Sequence, residues 1–387
     1  MYFKKIKFLL LTISVSFCLI SCQIKEVKRG SDIELNCIAE IGDKKVACTA
    51  KIPGTNAVLN ATIKKRGQSS RVYPKSSYAI EFELNVGFCV LPGDDDWVLT
   101  AAYIDKTLMR NRLCYDLFRL MAPENFAPQI CYQSISLNGV PQGIYLVTER
   151  IDSKRIGINK LSPGAFLFKE PAIFSELSSD KTRDRNYLGQ KYPKPGEADL
   201  TDSLLILNQS LLEFNDLAFQ QLMHDHFDLN NLADWFLILY FSNNDDGLFR
   251  NFYLHRKQAS QPIRLAIWDY DESFGRLGDG TLDDGSLKIN FDNHLLLGRL
   301  LKWDEFQKRL KDRWKVHREL VFTESAINAQ IDSYLKELKP MIEENKQLWP
   351  PDGPGYKDSS TFEEEVLLLR NSISKRLTAT DSFVKGL

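Results

Sequence analysis

Asn243-Asn244-Asp245-Asp246-Gly247-Leu248-Phe249-Arg250-Asn251-Phe252-Tyr253-Leu254, followed after a short gap by Leu265-Ala266-Ile267-Trp268-Asp269-Tyr270-Asp271-Glu272-Ser273-Phe274-Gly275, carries the strongest local pattern in the chain. Its first half sets Asp245 and Asp246 in a polar turn and Asn251 at the mouth of an apolar run. Its second half is a short strand-like run, Ile263 to Trp268, that delivers Asp269 and Asp271 just past its end. Gln258 to Pro262 separates the halves with turn-forming residues, so the pattern predicts a hairpin. Such a hairpin carries Asn251 and Asp269 to one end of a two-stranded ribbon, beside the acidic turn.

Oxygen donors gathered without Cys or His suit a hard divalent cation such as Mg²⁺ or Mn²⁺. The order Asp, four residues, Asn, strand, turn, strand, Asp is also the order used for phosphoryl transfer in protein kinases. There one Asp orients the attacking hydroxyl, and the Asn and a second Asp hold metal on the nucleotide phosphates. Asp246, Asn251 and Asp269 fall at those places. An Asp-x4-Asn alone is more often a solvated turn. Two acidic turns flanking one hairpin, each at a strand boundary, make a candidate metal or phosphate site.

Working outward, the N-terminal side reads as β structure, with alternating runs at 33–38, 46–52, 57–65 and 78–84. Between the last two lies Lys65-Arg66-Gly67-Gln68-Ser69-Ser70-Arg71-Val72-Tyr73-Pro74-Lys75. Backbone N–H groups, hydroxyls and cations in one loop can all donate to phosphate oxygens, although a solvated hairpin loop has the same composition. Asp94-Asp95-Asp96 precedes another strand-like run; it reads as a turn, with a metal-binding DxD of a sugar transferase as the distant alternative. Residues 108–121 carry one apolar helical face, and 130–148 form a hairpin around Asn138-Gly139.

The C-terminal side is helical: 201–223, 229–241 with Asp228 as N-cap, 295–320, 324–344 and 362–384. Ser360-Thr361-Phe362-Glu363 reads as a capping box for the last helix. Residues 174–200 lose apolar periodicity and read as a surface insertion, and 276–293 as a mobile Gly- and Asp-rich stretch. His224-Asp225-His226 reads as a linker between helices rather than a metal group, because no third ligand follows at a usable spacing. The expected organisation is an α+β chain with a β-rich N-lobe over 33–150 and a mainly helical C-lobe over 151–387.

Composition sets limits. A hydrophobic share of 43% against 26% charged residues excludes wholesale disorder over 387 residues. A formal net charge of −1 provides no general field for nucleic acid. Lys4, Lys5 and Lys7 precede the apolar run 8–20, then Leu19-Ile20-Ser21-Cys22, which reads as a bacterial lipoprotein signal with lipid on Cys22. Residues 1–21 would then be the signal and 22–32 a tether to the membrane of the cell envelope. Of the remaining cysteines, Cys37 and Cys48 flank a turn-like Gly42-Asp43; they could pair across a hairpin or remain buried thiols. No Cys/His spacing for zinc occurs.

Taken together, Arg66-Gly67-Gln68-Ser69-Ser70, Pro74-Lys75-Ser76-Ser77-Tyr78, Asp95-Asp96-Trp97-Val98-Leu99, Met109-Arg110-Asn111, Gly143-Ile144-Tyr145-Leu146-Val147-Thr148-Glu149, Asn244-Asp245-Asp246 with Asn251-Phe252-Tyr253-Leu254, and Trp268-Asp269-Tyr270-Asp271 occur in an order that resembles the CotH kinase family. The resemblance implies an atypical protein-kinase-like two-lobed fold that transfers phosphate from ATP, with Mg²⁺ or Mn²⁺, to Ser or Thr of a protein. It implies Asp246 as the catalytic Asp and Asn251 and Asp269 as metal ligands, with Asp271 as a possible second contact. It sets Arg66, Ser69, Ser70 and Lys75 in the phosphate-binding loop and Glu149 near the adenine, where the lobes join. Lys75-Ser76 stands where the family often has two basic residues. The family also includes surface proteins used for adhesion, so a binding module on the same fold is the alternative.

Overall fold

The computed structural model describes residues 33–55, 57–175, 189–194, 196–287 and 289–387. The expected signal over 1–21, Cys22 as the expected lipid acceptor and the expected tether over 22–32 therefore lie outside the described residues. The alternating runs become β1 (Ile33–Cys37), β2 (Val46–Lys51), β3 (Val58–Arg66), β4 (Ser77–Val86) and β5 (Asp94–Thr100). Helix α1 (Arg110–Met121) follows, then β6 (Ile130–Leu137) and β7 (Val140–Glu149). Asn138 and Gly139 turn between β6 and β7 with φ of 49° and 77°, the left-handed pair that matches the twist of a two-residue hairpin.

These seven strands close into a barrel in the order β1-β2-β3-β4-β5-β7-β6. Closure comes from β1, which lies parallel to β6 with Ile33 opposite Ile135. Period-two alternation then buries Ile33, Ile63, Ile80, Trp97, Tyr145 and Val147 in one enclosed core. The β-rich half was legible in the strand pattern; its closure was not, because a parallel pairing between residues a hundred apart leaves no local signal.

Closure also decides the cysteines. The disulfide joins Cys89 to Cys131, linking the β4–β5 loop, anchored by Phe88 in the barrel core, to β6. Cys37 and Cys48 stand opposite one another on β1 and β2 but remain thiols, so the suggested Cys37–Cys48 bond gives way to free thiols, Cys48 buried and Cys37 half-buried.

Beyond the barrel come α2 (Ser153–Ile156), β8 (Phe166–Lys169), β9 (Gln190–Tyr192), α3 (Thr201–Glu213), α4 (Asp216–His226) and α5 (Leu229–Ser242). A short α6 (Asp246–Phe249) leads to the predicted hairpin, β10 (Phe252–Arg256) and β11 (Arg264–Ile267). The chain ends with α7 (Leu297–Leu300), α8 (Asp304–Leu320), α9 (Glu324–Leu338), α10 (Ile342–Leu348) and α11 (Phe362–Gly386). The hairpin belongs to a four-stranded antiparallel sheet in the order β11-β10-β8-β9.

Helix α5 is apolar on nearly every side and therefore sits at the centre, against α1, α8, α11 and β11. Its N-cap is Asp228, as the sequence suggests, accepting from the N–H groups of Asn230 and Asn231. Helix α1 lies between barrel strands β5 and β6 in sequence, yet its Leu113, Leu117 and Phe118 pack in the helical core. Several boundaries differ from expectation: 295–320 divides into α7 and α8, and 324–344 into α9 and the start of α10. The single helix over 201–223 is broken at Phe214, because Asn215 caps α4 by accepting from Ala218 N at 3.0 Å. The capping box of α11 is Thr361 with Glu364, one residue later than the pattern suggested. The surface insertion supplies β9 to the second sheet, and its residues 176–188 lie outside the described ones. No helix among the described residues is long and apolar enough to cross a membrane.

Candidate functional site

Strands β8, β10 and β11 reach a common end of the second sheet: Tyr253 lies opposite Lys169, and Phe252 opposite Ile267. Glu170, Asn251 and Asp269 therefore emerge side by side. All three have left-handed backbones, with φ of 51°, 56° and 58°. Asn and Asp tolerate that region; Glu does so at a cost of about 1–3 kcal/mol, and such residues cluster at functional sites. Two backbone bonds hold the bends, from Glu170 N to Phe252 O and from Trp268 N to Asn251 O, both 2.9 Å.

Helix α6 brings Asp246 to the same place. Its Oδ2 accepts from Asn251 Nδ2 at 2.7 Å, and the same amide nitrogen donates to Asp269 O at 3.0 Å. Both partners are acceptors, which fixes the amide orientation and leaves Asn251 Oδ1 as the acceptor available to a ligand. Gly247 makes the turn possible: a Cβ there would stand 2.8 Å from Leu239 Cδ1 and 3.1 Å from the Tyr270 hydroxyl.

These acids line a cavity of about 530 Å³ between the sheet end and the barrel rim. Arg66, Gly67, Ser70 and Arg71 face it from the end of β3 and the following turn, and Lys169, Glu170 and Arg250 from the sheet side. Asp246, Asn251, Asp269, Asp271 and Glu272 supply the acidic wall. Of the residues singled out by sequence, Asp246, Asn251, Asp269, Asp271, Arg66, Ser70 and Lys75 thus meet in one cavity. Ser69 lies in the 3-10 turn beside Ser70, with its side chain outside the described residues. Glu149 does not join them. It is buried at the end of β7, accepts from Gln129 N at 2.9 Å and pairs with Arg155 at 2.8 Å, which makes it a bracket between barrel and α2.

The charges are unevenly matched. Arg66 rests its guanidinium 5.1 Å from the Trp268 ring centroid. Burial raises the pKa of Asp269, while Arg66 and Lys169 oppose the rise. Burial likewise raises Asp246, with Asp269 and Glu170 adding to it and Arg250 opposing. Asp271 is pushed well above the carboxylate range by burial and then by Asp269 and Glu272. Glu272 is pushed up to about 7 by burial and then by Asp246 and Asp269. Such a wall favours an added cation. Lys75 is a separate case: its Nζ donates to Ile144 O, and burial lowers its pKa to about 7.

The donors, all oxygen, fit a hard divalent ion. Among the described residues no three His, Cys, Asp or Glu groups are placed to hold a metal unaided. Asn251 Oδ1, Asp269 and Asp271 therefore suit an ion that arrives with further oxygens, as Mg²⁺ does on phosphates. Elsewhere the candidates are neutralised. Asp94 pairs with Lys154 at 2.7 Å and Arg155 at 2.5 Å, and Asp96 with Arg150 at 3.1 Å, so the sugar-transferase alternative loses its metal group. His224 pairs with Glu305 at 3.2 Å.

Sequence reading missed Lys169, Glu170, Arg250, Glu272, Asn111 and Tyr115, all of which line the cavity. Glu272 lies inside the decisive stretch and Arg250 beside Asn251, so both were within reach. Lys169 ends, and Glu170 follows, a four-residue strand with no alternation to mark it.

The molecule is a mixed α/β protein in which a closed barrel and a helical body share one polar cleft, with carboxylates facing cations across it. It belongs to the CotH kinase protein family, whose model matches residues 63–380 and so takes in the whole cleft. The chain is 26% identical over 291 residues to the inner spore coat protein H of Bacillus subtilis strain 168, a match covering 73% of this chain and 78% of that protein.

Proposed function

We propose that this protein has a protein-kinase-like two-lobed fold and transfers the γ-phosphoryl group of ATP to a Ser or Thr hydroxyl of a protein. The observation that carries the reading is the Asp246–Asn251–Asp269 constellation, hydrogen-bonded at adjoining strand ends and facing the basic turn of Arg66 across one cavity. Asp246 orients the acceptor hydroxyl and takes its proton; its raised pKa brings its basicity closer to that task. Asn251 Oδ1, Asp269 and Asp271 would hold Mg²⁺ or Mn²⁺. Held there with nucleotide, such an ion would draw negative charge from the phosphate oxygens. Arg66 and Ser70 on the barrel side, with Lys169 and Arg250 opposite, face the phosphates as donors.

The relative is named for the inner spore coat. For this chain we place the protein at the cell envelope, anchored by lipid on Cys22. A catalytically silent binding module on the same fold is the second reading. It is favoured by Lys75, whose ammonium is directed to the Ile144 carbonyl, and by a metal site incomplete without added oxygens. Purified protein incubated with γ-labelled ATP and Mg²⁺ or Mn²⁺ separates the two. Metal-dependent label on the protein itself or on an added protein supports transfer; nucleotide binding without label supports the binding module.

A further inference from the structure

Asp269 opens a segment that leaves the sheet with no strand to receive it. Strand β11 lies at the sheet edge, and its last ladder bond beyond the strand is Trp268 N to Asn251 O. The next two N–H groups would be orphaned, and buried orphans are rare because each costs a lost hydrogen bond. Helix α1 supplies both acceptors. Asp269 N donates to Tyr115 Oη at 2.7 Å, and Tyr270 N donates to Asn111 Oδ1 at 2.5 Å. At the far end of the segment, Arg110 Nε donates to Ser273 O at 2.9 Å.

Arg110 is itself immobilised. It is 0% exposed and pairs with Asp105 at 2.6 Å and Glu365 at 3.2 Å. Asp105 meanwhile accepts from Arg110 N and Thr107 N, which closes the start of α1. Tyr115 lies stacked against Trp268, with centroids 6.4 Å apart. Three side chains of one helix thus grip the backbone of residues 269, 270 and 273, and between those grips sit Asp271 and Glu272.

We infer that Arg110, Asn111 and Tyr115 are positioning residues: from α1 they set the 269–273 backbone so that Asp269 and Asp271 present their carboxylates to a divalent cation in the cleft. This rests on the phosphotransfer reading of the site. None of the three needs to touch the ion. Each acts through a backbone atom of the segment that does, as outer groups around a metal commonly do, where their loss costs roughly 10- to 100-fold in metal affinity.

Tyr115→Phe removes one acceptor oxygen and keeps the ring on Trp268. Asn111→Ala removes the other acceptor. Arg112→Ala serves as the comparison, because Arg112 on the same helix pairs with Glu337 at 2.7 Å and caps the rings of Tyr132 and Tyr334, away from the segment. The readout is the rise in melting temperature caused by a fixed saturating ATP concentration, recorded over a Mg²⁺ series. Wild type defines a Mg²⁺ midpoint. Tyr115→Phe and Asn111→Ala should move that midpoint upward by roughly tenfold or more, while Arg112→Ala lowers the ligand-free melting temperature and leaves the midpoint in place. A merely structural role for Asn111 and Tyr115 would give the Arg112→Ala result instead, and that outcome overturns the inference. If Asn111→Ala does not fold, Tyr115→Phe alone decides. Absence of any ATP-dependent shift in wild type, at every Mg²⁺ and Mn²⁺ concentration, overturns the phosphotransfer reading and the inference with it.

Discussion

Replacing Lys75 with methionine should stabilise the protein at pH 7, although it removes a hydrogen bond and a cation packed on two rings. Lys75 is 3% exposed, donates to Ile144 O, and lies 4.7 Å and 5.9 Å from the ring centroids of Tyr145 and Trp349. Burial pushes its pKa down from 10.5 to about 7. Between those values the unfolded chain holds more protons than the folded protein, so stability rises with pH across the window and the penalty is greatest below pH 7. Each pH unit inside the window is worth about 1.4 kcal/mol, so wild type should gain roughly 2–3 kcal/mol between pH 7 and 9. Methionine carries no charge and has no such slope. Loss of the hydrogen bond and ring contacts costs about 1–2 kcal/mol. The net expectation is a variant roughly 2 kcal/mol more stable than wild type at pH 7, with the advantage gone by pH 9. Urea unfolding of both proteins at the two pH values measures this. Burial raises the pKa of the thiols Cys37, Cys48 and Cys114, but both proteins share them and they cancel in the difference. Parallel pH dependences in wild type and Lys75→Met would show that buried Lys75 carries no such penalty.

Glu365 joins Arg110 and Arg276 at 1% exposure, so Glu365→Ala removes a carboxylate shared by two buried guanidiniums, leaves Arg110 to Asp105 and Arg276 to Asp358, and should cost about 1–3 kcal/mol in denaturant unfolding. Cys89→Ser opens a covalent loop whose ends are 42 residues apart, which should lower stability by about 4 kcal/mol in the chain-entropy picture, read as a fall in melting temperature.

The decisive hairpin was legible because its residues are local. Strand alternation, a turn and two acidic ends lie within 33 consecutive positions, and Asp246, Asn251 and Asp269 do converge. The N-cap at Asp228 and the Asn138-Gly139 turn were legible for the same reason, each being a property of a few neighbouring residues. What stayed hidden depends on contacts distant in sequence. Barrel closure needs β1 beside β6, and the Cys89–Cys131 pairing follows from it. The resemblance set Glu149 near the adenine, where the lobes join, yet the alternation of β7 sends Thr148 to the cavity and leaves Glu149 to Arg155. Lys169 and Glu170 become neighbours of Asn251 only when β8 pairs with β10. The grip of α1 on residues 269–273 spans about 160 positions, and no periodicity could announce it.

The role of Asp246 is decided by single-turnover phosphate transfer in wild type and Asp246→Asn, with Mg²⁺, ATP and a hydroxyl-bearing protein acceptor or the protein itself. Asp246 is held through Oδ2 by Asn251, and the swap is nearly isosteric at a turn, so the fold and ATP-dependent thermal shift should persist. Transfer should fall by ~10²–10⁴, the usual loss for a positioned base. Equal rates in the two proteins would contradict the role assigned to Asp246 and, with it, the proposed chemistry of the cleft.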